Sequence, residues 1–521
     1  MDRRGFLRSS GLMGAGALLG PSLLPACAPV PSTGAGGPEY FPTTIPQGTM
    51  LDFAASESPI EHVVILMMEN RSFDHYLGWL SADEAYQERG RRNYGDSFSI
   101  DARPHQTYLD PSGNEVDTFS MGGGLSAAGY RGCGFADPNH GWDAGRVQRD
   151  HGFLATGANV DTFPLGYQES ADLPFHSRMA RRFTTFDRYH CSILGPTQPN
   201  RRYLHSAQSG GYKNNYVPIK ELGHQWDTIY DRLKRAGVST RSFSPDLPSL
   251  AFWGPRMGDM MSPIHEYFGA CDNGTLPAVT YLDPPFLPWW QADDHPLCDP
   301  AAGQRYLRDV FRAFVESPHW ENGLFILTYD EWGGFFDHVA PPVLPDLLSS
   351  PVDADNFGQA GFRVPTILAS PYAKPGFVDH RLYDHTSIMR FVEWRFLGAP
   401  PEGSGGSSDW NLTPRDRNAN NIGASLGMTG PDPQVFDLAD LGMRAPTARC
   451  DKSPQLTAPG MQPDRPTPTP TTTLTAAEAK ADPNIGGPGS DMLDALEAGY
   501  FEKVRVKFEP SPMAGMWADA Q

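Results

Sequence analysis

The sequence has little positive charge and little cysteine. Its 42 Lys and Arg residues stand against 61 Asp and Glu, and the net charge of -19 argues against a nucleic-acid-binding protein or a polybasic membrane surface. Its six cysteines are not spaced like a zinc site. With 54 glycines, 50 prolines and 39% hydrophobic residues, the composition excludes collagen, coiled-coil and polytopic membrane proteins. We therefore expect an acidic, loop-rich globular enzyme or binding protein.

The N-terminus predicts export from the cytoplasm. Arg3 and Arg4 precede a mildly apolar stretch, residues 9–24, and this order resembles a twin-arginine signal. An ordinary Sec signal is the alternative, because Asp2 and Arg8 depart from the usual twin-arginine pattern. The expected location is the periplasm, the cell envelope or the extracellular space.

The cysteines suggest two modifications of an exported protein. Residues 24–27, Leu-Pro-Ala-Cys, resemble a lipobox. Cleavage there would remove residues 1–26 and leave Cys27 as a lipid-modified anchor to a membrane, with cleavage but no lipidation as the alternative. Cys271 and Cys298 flank a short loop-rich segment that a disulfide could bridge. Since five cysteines follow the signal, at least one stays a free thiol or pairs with another molecule.

Pro-rich and polar segments flank one long stretch of mixed pattern. Residues 27–59 predict a tether, and residues 443–478 a Pro/Thr-rich linker. Between them, residues 60–442 alternate short apolar runs with amphipathic stretches and glycine-rich loops, which is typical of an α/β fold. Residues 479–521 form a small C-terminal segment, helical over residues 490–504, whose role the sequence does not indicate.

Apolar runs predict buried strands of a mainly parallel sheet, and amphipathic stretches predict helices that cover it. We expect strands at residues 63–67, 238–243, 278–282, 324–329 and 365–369, and helices at residues 225–235, 302–316 and 386–396. An acidic residue follows four of the strands, namely Glu69, Asp246, Asp283 and Asp330. Because open α/β sheets bind ligands outside the carboxyl ends of their strands, these residues indicate a cation site. Helix N-capping is the alternative for any one of them.

Two strand ends carry paired oxygen ligands. Glu-Asn (residues 69–70) follows the first strand and Asp-Glu (residues 330–331) the fourth, and such carboxylate and amide oxygens suit a hard divalent cation. The glycines at residues 333–334 supply the sharp turn that lets both carboxylates face one ligand. His338 then returns an imidazole to the same rim, where it suits general acid chemistry.

Thr197 is the candidate nucleophile. It lies between two prolines in Gly-Pro-Thr-Gln-Pro-Asn-Arg-Arg (residues 195–202), and a metal-held hydroxyl in such a stiff segment would be activated towards phosphorus. A Pro-rich turn without chemistry is the alternative. Further titratable groups stand at His140 and in Asp-Asp-His-Pro (residues 293–296), beside aromatic residues that would line an acyl-chain entrance or pack in the core.

Four of these motifs together resemble the bacterial phosphoesterase family, which includes non-haemolytic phospholipases C and an acid phosphatase. They are Glu-Asn-Arg-Ser-Phe-Asp-His at 69–75, Gly-Pro-Thr-x-Pro-Asn-Arg at 195–201, Asp-Asp-His-Pro at 293–296 and Thr-Tyr-Asp-Glu-x-Gly-Gly-Phe-Phe-Asp-His-Val at 328–339. The resemblance covers residues 60–442. It implies an alkaline-phosphatase-like three-layer sandwich, with a mainly parallel central sheet, long loop insertions and a metal at the strand ends.

The resemblance also implies roles for particular residues. One divalent metal would be held by Glu69, Asn70, Asp330 and Glu331, with Thr197 as fifth ligand and nucleophile. The phosphoryl group would be surrounded by His140, Asp294, His295 and His338. The family often has His where this chain has Trp332, which is a departure from its pattern.

The resemblance implies a phospholipase C that releases diacylglycerol through a phosphothreonine intermediate. An acid phosphatase of the same family and a non-catalytic lipoprotein that binds phosphate compounds are the alternatives. The segment at 197–201 also echoes a sulfatase signature, but a sulfatase oxidises Cys or Ser to an aldehyde hydrate, and Thr197 would give a ketone. Because the chain is acidic, we expect zwitterionic or soluble substrates.

Overall fold

The computed structural model describes ten ranges of the chain, namely residues 46–122, 130–132, 135–155, 161–218, 222–287, 291–296, 298–403, 410–428, 430–446 and 500–504. The expected signal peptide, Cys27 and most of the expected linker lie outside the described residues. Among the described residues, no helix has the length and apolar character needed to cross a membrane.

Twelve strands lie among the described residues. These are β1 (His62–Met68), β2 (Thr107–Leu109), β3 (Glu115–Asp117), β4 (Phe119–Ser120), β5 (Gly166–Tyr167), β6 (Thr184–Phe186), β7 (Thr240–Ser244), β8 (Met261–Pro263), β9 (Val279–Leu282), β10 (Gly323–Tyr329), β11 (Ile367–Ala369) and β12 (Val378–Asp379). β2 pairs with β3 and β4 with β5 in two small sheets, while the other eight form the central sheet.

The central sheet is mainly parallel, as predicted. Its order is β12-β6-β11-β10-β1-β9-β7-β8, and β11 alone runs antiparallel to both of its neighbours. β1 and β10 lie side by side at the centre with Met68 opposite Tyr329. Nearly every side chain of these two strands is buried, as expected for strands covered on both faces. The predicted run 365–369 therefore forms a strand in the sheet, but in the opposite direction to the central ones.

The α-helices among the described residues are α1 (Phe73–Leu77), α2 (Glu84–Tyr94), α3 (Trp142–His151), α4 (Pro174–Arg182), α5 (Thr197–Ser206), α6 (Ile229–Arg235), α7 (Ile264–Asp272), α8 (Pro300–Glu316), α9 (His385–Leu397), α10 (Pro414–Asn418) and α11 (Tyr500–Lys503). Short 3-10 helices occupy Met50–Asp52, Ala55–Glu57, Gly78–Ala82, Phe163–Leu165, Ser249–Met260, Trp320–Asn322, Asp353–Asp355 and Ile422–Ser425.

Local caps decide where the predicted helices begin. The helix expected from residue 225 begins at Ile229, because Thr228 and Asp231 form a capping box. Asp384 caps α9 through the backbone N–H of Thr386. Helices α5, α6, α9 and α10 pack with one another, and α4, α7 and α8 form a second group. The sheet with its two helix groups confirms the predicted three-layer α/β sandwich.

Parts of the expected tether and C-terminal segment pack against residues 60–442. Met50 and Leu51 are buried, and the Met50 N–H donates to the Leu426 carbonyl at 2.7 Å. Tyr500 is buried as well, and its hydroxyl donates to the carbonyl of Ala251 at 2.9 Å. Residues 46–59 are therefore a packed edge of the folded region and not a free spacer.

The expected disulfide between Cys271 and Cys298 is wrong. Both cysteines are free, buried thiols. Cys271 lies on α7, whereas the Cys298 thiol donates to the carbonyls of Gln291 at 3.3 Å and Asp299 at 3.5 Å. The short separation in sequence suggested the pairing, but the two thiols are not bonded to each other.

Candidate active site

Thr197 lies at the carboxyl edge of the central sheet, on the first residue of α5. Its hydroxyl is fully buried, 3.2 Å from Oε1 of Glu69 and 3.4 Å from Oδ1 of Asn70. Pro196 precedes the helix in extended conformation, so the chain turns into α5 at the hydroxyl itself. The structure thus brings Thr197 to the adjacent pair Glu69 and Asn70, from which it is separated by more than a hundred positions in the sequence.

The two acidic strand ends meet because β1 and β10 are parallel neighbours. The Asn70 backbone N–H donates to Oδ1 of Asp330 at 3.1 Å, and Asn70 itself has a φ of 60°. Gly333 follows with a φ of 66°, and a Cβ there would lie 2.2 Å from the Asn70 carbonyl oxygen. Only glycine allows the backbone to approach the Asn70 carbonyl so closely. The position of Asn70 therefore requires a glycine in the predicted turn after Glu331.

Arg201 is the buried cation of the site, and sequence reasoning gave it no role. Its guanidinium lies 3.2 Å from Asp330, 3.3 Å from Asp283 and 3.9 Å from Glu69, all with fully buried side chains. Arg201 is four residues after Thr197, on the same face of α5. This four-residue spacing could have been used to predict the role of Arg201, because it places the Arg201 charge beside any group that the Thr197 hydroxyl contacts.

The carboxylates of the site outnumber this cation. Burial, followed by the charge of Asp330, raises the pKa of Glu69 well above its ordinary value. Burial likewise raises the pKa of Asp330 to about 6, and burial with the nearby Asp330 raises that of Glu331. Each shift reflects first the cost of holding a charge away from water, and for Glu69 and Glu331 also the repulsion of neighbouring carboxylates.

The chemistry of this donor set suits a divalent cation. Oε2 of Glu69 and Oε1 of Glu331 are buried and accept no hydrogen bond from any described residue. With the Thr197 hydroxyl and Oδ1 of Asn70, these oxygens are hard ligands of the kind that such cations prefer. A bound cation would also remove the repulsion that raises the carboxyl pKa values.

His140 closes one side of the site. Its Nδ1 donates to the Pro138 carbonyl at 2.7 Å, so its Nε2 accepts from the Asn70 amide at 3.1 Å and lies 3.7 Å from Oε1 of Glu331. This contact turns the amide oxygen of Asn70 towards Thr197. Burial lowers the pKa of His140 to about 4, so the ring is neutral near pH 7.

His295 stands beside His140, with ring centroids 6.0 Å apart. Its Nδ1 donates to the Pro296 carbonyl at 3.0 Å, and its Nε2 has no hydrogen-bond partner among the described residues. Burial, with His140 nearby, lowers the pKa of His295 to about 3. Nitrogen and oxygen atoms of Asp137, His140 and His295 lie within 4.8 Å of one another, a grouping that could also hold a cation.

Asp294 precedes His295 in the sequence, but its carboxylate contacts Tyr329 and not Thr197. Oδ2 accepts from the Tyr329 hydroxyl at 2.6 Å, and the backbone carbonyl accepts from Arg71 at 2.8 Å. Burial raises the pKa of Asp294 to about 6. These contacts fix the loop that carries His295, and they do not bring the Asp294 carboxylate to Thr197.

His338 belongs to a separate cluster, which corrects the expectation that it faces the phosphoryl group. Its Nδ1 lies 2.5 Å from Asp74 and its Nε2 lies 2.7 Å from Asp101. Arg363 contacts Asp74 at 3.2 Å and Asp337 at 2.9 Å, so a guanidinium already supplies a cation there. Both ring nitrogens are engaged, and the ring has no free donor for a substrate.

Two further residues near the site carried little sequence signal. The Nε2 of His385, at the start of α9, lies 2.7 Å from the backbone carbonyl of Asp330 and steadies that ligand. Trp332, where the family pattern often has His, is fully buried and donates to Gln148 at 2.7 Å. Its indole packs between helix and loop and does not reach for a substrate.

Comparisons with known proteins show what the whole chain is similar to. A model described as the Phosphoesterase family matches residues 60–258 and 255–397. The chain is 29% identical to the non-hemolytic phospholipase C of Burkholderia pseudomallei over 522 residues, which cover 86% of this chain and 68% of that protein. It is 31% identical to phospholipase C B of Mycobacterium tuberculosis over 399 residues, 66% of this chain and 74% of that protein. Among solved structures it is similar to the lipoteichoic acid synthase LtaP of Listeria monocytogenes, with 10% identity, a TM-score of 0.35 and coverage of 72% of this chain and 80% of that one.

Proposed function

Because the chain belongs to the Phosphoesterase family and is a hydrolase of phosphoester bonds, we propose that it is an exported, metal-dependent phospholipase C. Its substrate would be the phosphodiester of glycerophospholipids such as phosphatidylcholine, cleaved to diacylglycerol and a phosphorylated head group. One observation carries the proposal: the buried Thr197 hydroxyl lies 3.2 Å from the Glu69 carboxylate, among ligands suited to a divalent cation.

In the first step, the Thr197 Oγ1 attacks phosphorus while its proton passes to the neighbouring Oε1 of Glu69, 3.2 Å away. The new bond is O–P, and the bond that breaks joins phosphorus to the diacylglycerol oxygen. A cation held by Glu69, Asn70, Asp330 and Glu331 would withdraw charge from the phosphoryl oxygens.

The leaving alkoxide needs a proton, and we assign this role to His295, whose Nε2 has no hydrogen-bond partner among the described residues. Nδ1 of His295 is committed to a backbone carbonyl, so the ring donates from Nε2 only as an imidazolium. The negative charge of a bound phosphate favours that form. In the second step, water attacks the phosphothreonine, His295 takes the proton from this water, and the head-group phosphate leaves as Thr197 regains its proton.

The direct test measures diacylglycerol and head-group release from phosphatidylcholine, before and after metal depletion and restoration. Thr197→Ala is expected to abolish turnover, because loss of a nucleophile costs many orders of magnitude, while the variant still folds. Thr197→Ser keeps the hydroxyl and serves as the matched control. Retention of more than about 1% of activity by Thr197→Ala would contradict a nucleophilic role. Activity confined to monoesters would instead favour the acid phosphatase.

We also propose export through the twin-arginine route and a lipid on Cys27, although residues 1–45 lie outside the described residues. The support is the order of Arg3, Arg4 and the Leu-Pro-Ala-Cys motif. Mass spectrometry of the mature N-terminus tests it, since an unmodified start downstream of Cys27 would exclude the lipid anchor.

A further inference from the structure

Gln198 is a buried side chain at the start of α5. It is the second residue of α5, directly after the nucleophile, and only 1% of it is exposed. Among the described residues, neither its Oε1 nor its Nε2 has a hydrogen-bond partner. A buried amide left in this state is costly, so a group from outside the protein is expected to complete it.

Asn215 places a second amide at the same end of α5. Its Oδ1 accepts from the Gln198 backbone N–H at 2.9 Å. Since the N–H groups of the first turn point out of the helix start, the Asn215 carboxamide lies at the end that carries Thr197. Its Nδ2 has no partner within the described part of the chain, although Asn215 is only 3% exposed. Among the described residues, two donor groups and one acceptor are therefore unmatched at the start of α5, the end of the helix that carries Thr197.

The face of α5 that carries Gln198 is walled by the segment around Asn215. Arg202, one turn further along that face, donates to Nε2 of His224 at 2.9 Å and lies 4.9 Å from the Tyr212 ring centroid. Arg202 also donates to the carbonyl of Tyr216. These contacts hold the segment that carries Asn215 against the helix and keep its amide beside Gln198.

The geometry of in-line displacement at phosphorus indicates which part of the substrate would contact these amides. The leaving group departs opposite the attacking oxygen, so groups beside the nucleophile face the substituents that stay on phosphorus. In a phospholipase C reaction, the head group stays. Oxygens of the head-group phosphate would accept from Nε2 of Gln198 and Nδ2 of Asn215, but Oε1 of Gln198 needs a donor.

We infer that Gln198 and Asn215 form a head-group subsite that favours phospholipids whose head group carries a hydroxyl or a primary ammonium over those that carry choline. Choline has a quaternary nitrogen and no hydrogen to donate, whereas ethanolamine donates through its ammonium. The inference rests on the proposed function, because it assumes that Thr197 attacks a phospholipid phosphodiester.

The test compares kcat/KM of the full-length protein on phosphatidylethanolamine and phosphatidylcholine with the same acyl chains, in the same detergent micelles. Gln198→Leu removes the acceptor and the donor at nearly constant size. It is expected to lower kcat/KM on phosphatidylethanolamine about tenfold or more and to change that on phosphatidylcholine several-fold less. Asn215→Asp keeps the acceptor for the Gln198 N–H and replaces the donor, and it is expected to lower kcat/KM on both lipids.

Gln87→Leu on the remote helix α2 is the matched control and should change neither substrate. A calorimetric titration of phosphoethanolamine and phosphocholine into Thr197→Ala, with and without Gln198→Leu, reads the same preference without turnover. Equal losses on both lipids, or no change, would mean that buried water completes these amides, and the subsite would be rejected. If the unaltered protein releases diacylglycerol from neither lipid, the proposed function itself fails, and the subsite with it.

Discussion

Among single residues, Arg201 shows how much of the site depends on one charge. It is the cation that Glu69, Asp283 and Asp330 share inside the folded region. Each of these carboxyl groups already has a raised pKa, first because of burial. Removing the guanidinium would leave these groups without compensation in a place that water does not reach.

We therefore expect Arg201→Met to lower the free energy of unfolding by about 3–5 kcal/mol. Arg235→Met, which removes an exposed partner of Asp227, should cost less than about 1 kcal/mol. Urea unfolding of both variants measures the difference. Equal effects would show that the buried charges are compensated by other groups.

Gly333 gives a second prediction at this scale. Gly333→Ala introduces a Cβ against the Asn70 carbonyl in a backbone with positive φ, so it must displace a predicted metal ligand. We expect lower metal affinity and activity, together with a loss of stability. Gly237→Ala has a similar φ of 74° but nothing within 4 Å of its Cβ, so it carries only the conformational cost of about 1 kcal/mol. If both variants bind metal alike, the close contact at Asn70 is not required.

At the scale of secondary structure, His338 joins the loop after β10 to α1. Asp74, Asp101 and Asp337 face its ring, and Arg363 lies against the same carboxylates. Burial lowers the pKa of His338, but the hydrogen bond and charge of Asp74 outweigh it, so the net pKa is raised.

Protonation of His338 therefore stabilises the fold. This contribution is complete below the unfolded value of about 6.5 and is lost as pH rises through the folded pKa. The stability difference between the unaltered protein and His338→Gln should thus be larger at about pH 6 than at about pH 9. Urea unfolding at both values measures it, with the exposed His151→Gln as control. A difference that grows with pH would mean that the ring is neutral in the cluster.

For the whole molecule, the proposed cation links activity to stability. A ligand that binds only the folded state adds about 2.7 kcal/mol at a hundred times its dissociation constant. Chelation should therefore lower the thermal unfolding temperature, and adding back a divalent ion should restore it. Chelation should lower the unfolding temperature of Glu331→Gln less than that of the unaltered protein, because the substitution removes one of the crowded carboxylates that would hold the cation. An unfolding temperature that does not change when the chelator is added would argue against a resident cation.

Much of the site could be predicted because its chemistry follows the strands. Residues 69–70 and 330–331 come directly after long apolar runs, and parallel neighbouring strands bring such ends together. His385 and Asp137 could not be predicted in this way, since their positions depend on loop paths that follow no periodicity. His338 was misplaced for the same reason: its sequence neighbours are site residues, but the chain turns it towards Asp74 and Asp101.

The short elements of the fold could not be predicted from the sequence either. β6 has three residues and β12 has two, so neither shows a pattern that differs from a loop. The direction of β11 depends on the path of the chain between it and β10, about which its own apolar residues say nothing. Thr197 begins a helix in spite of the prolines around it, because proline is tolerated in a first helical turn.

The pairing of β1 with β10 has a consequence for the order of events during synthesis. Asn70 and Asp330 are 260 positions apart, so the two halves of the proposed ligand set leave the ribosome at different times. At typical rates of translation, the delay is on the order of 10 to 50 seconds. Until the later half arrives, Glu69 has neither Asp330 nor Glu331 beside it and can hold a cation only weakly. Loading of the proposed metal would therefore be a late event, which suits the proposed export of an already folded protein.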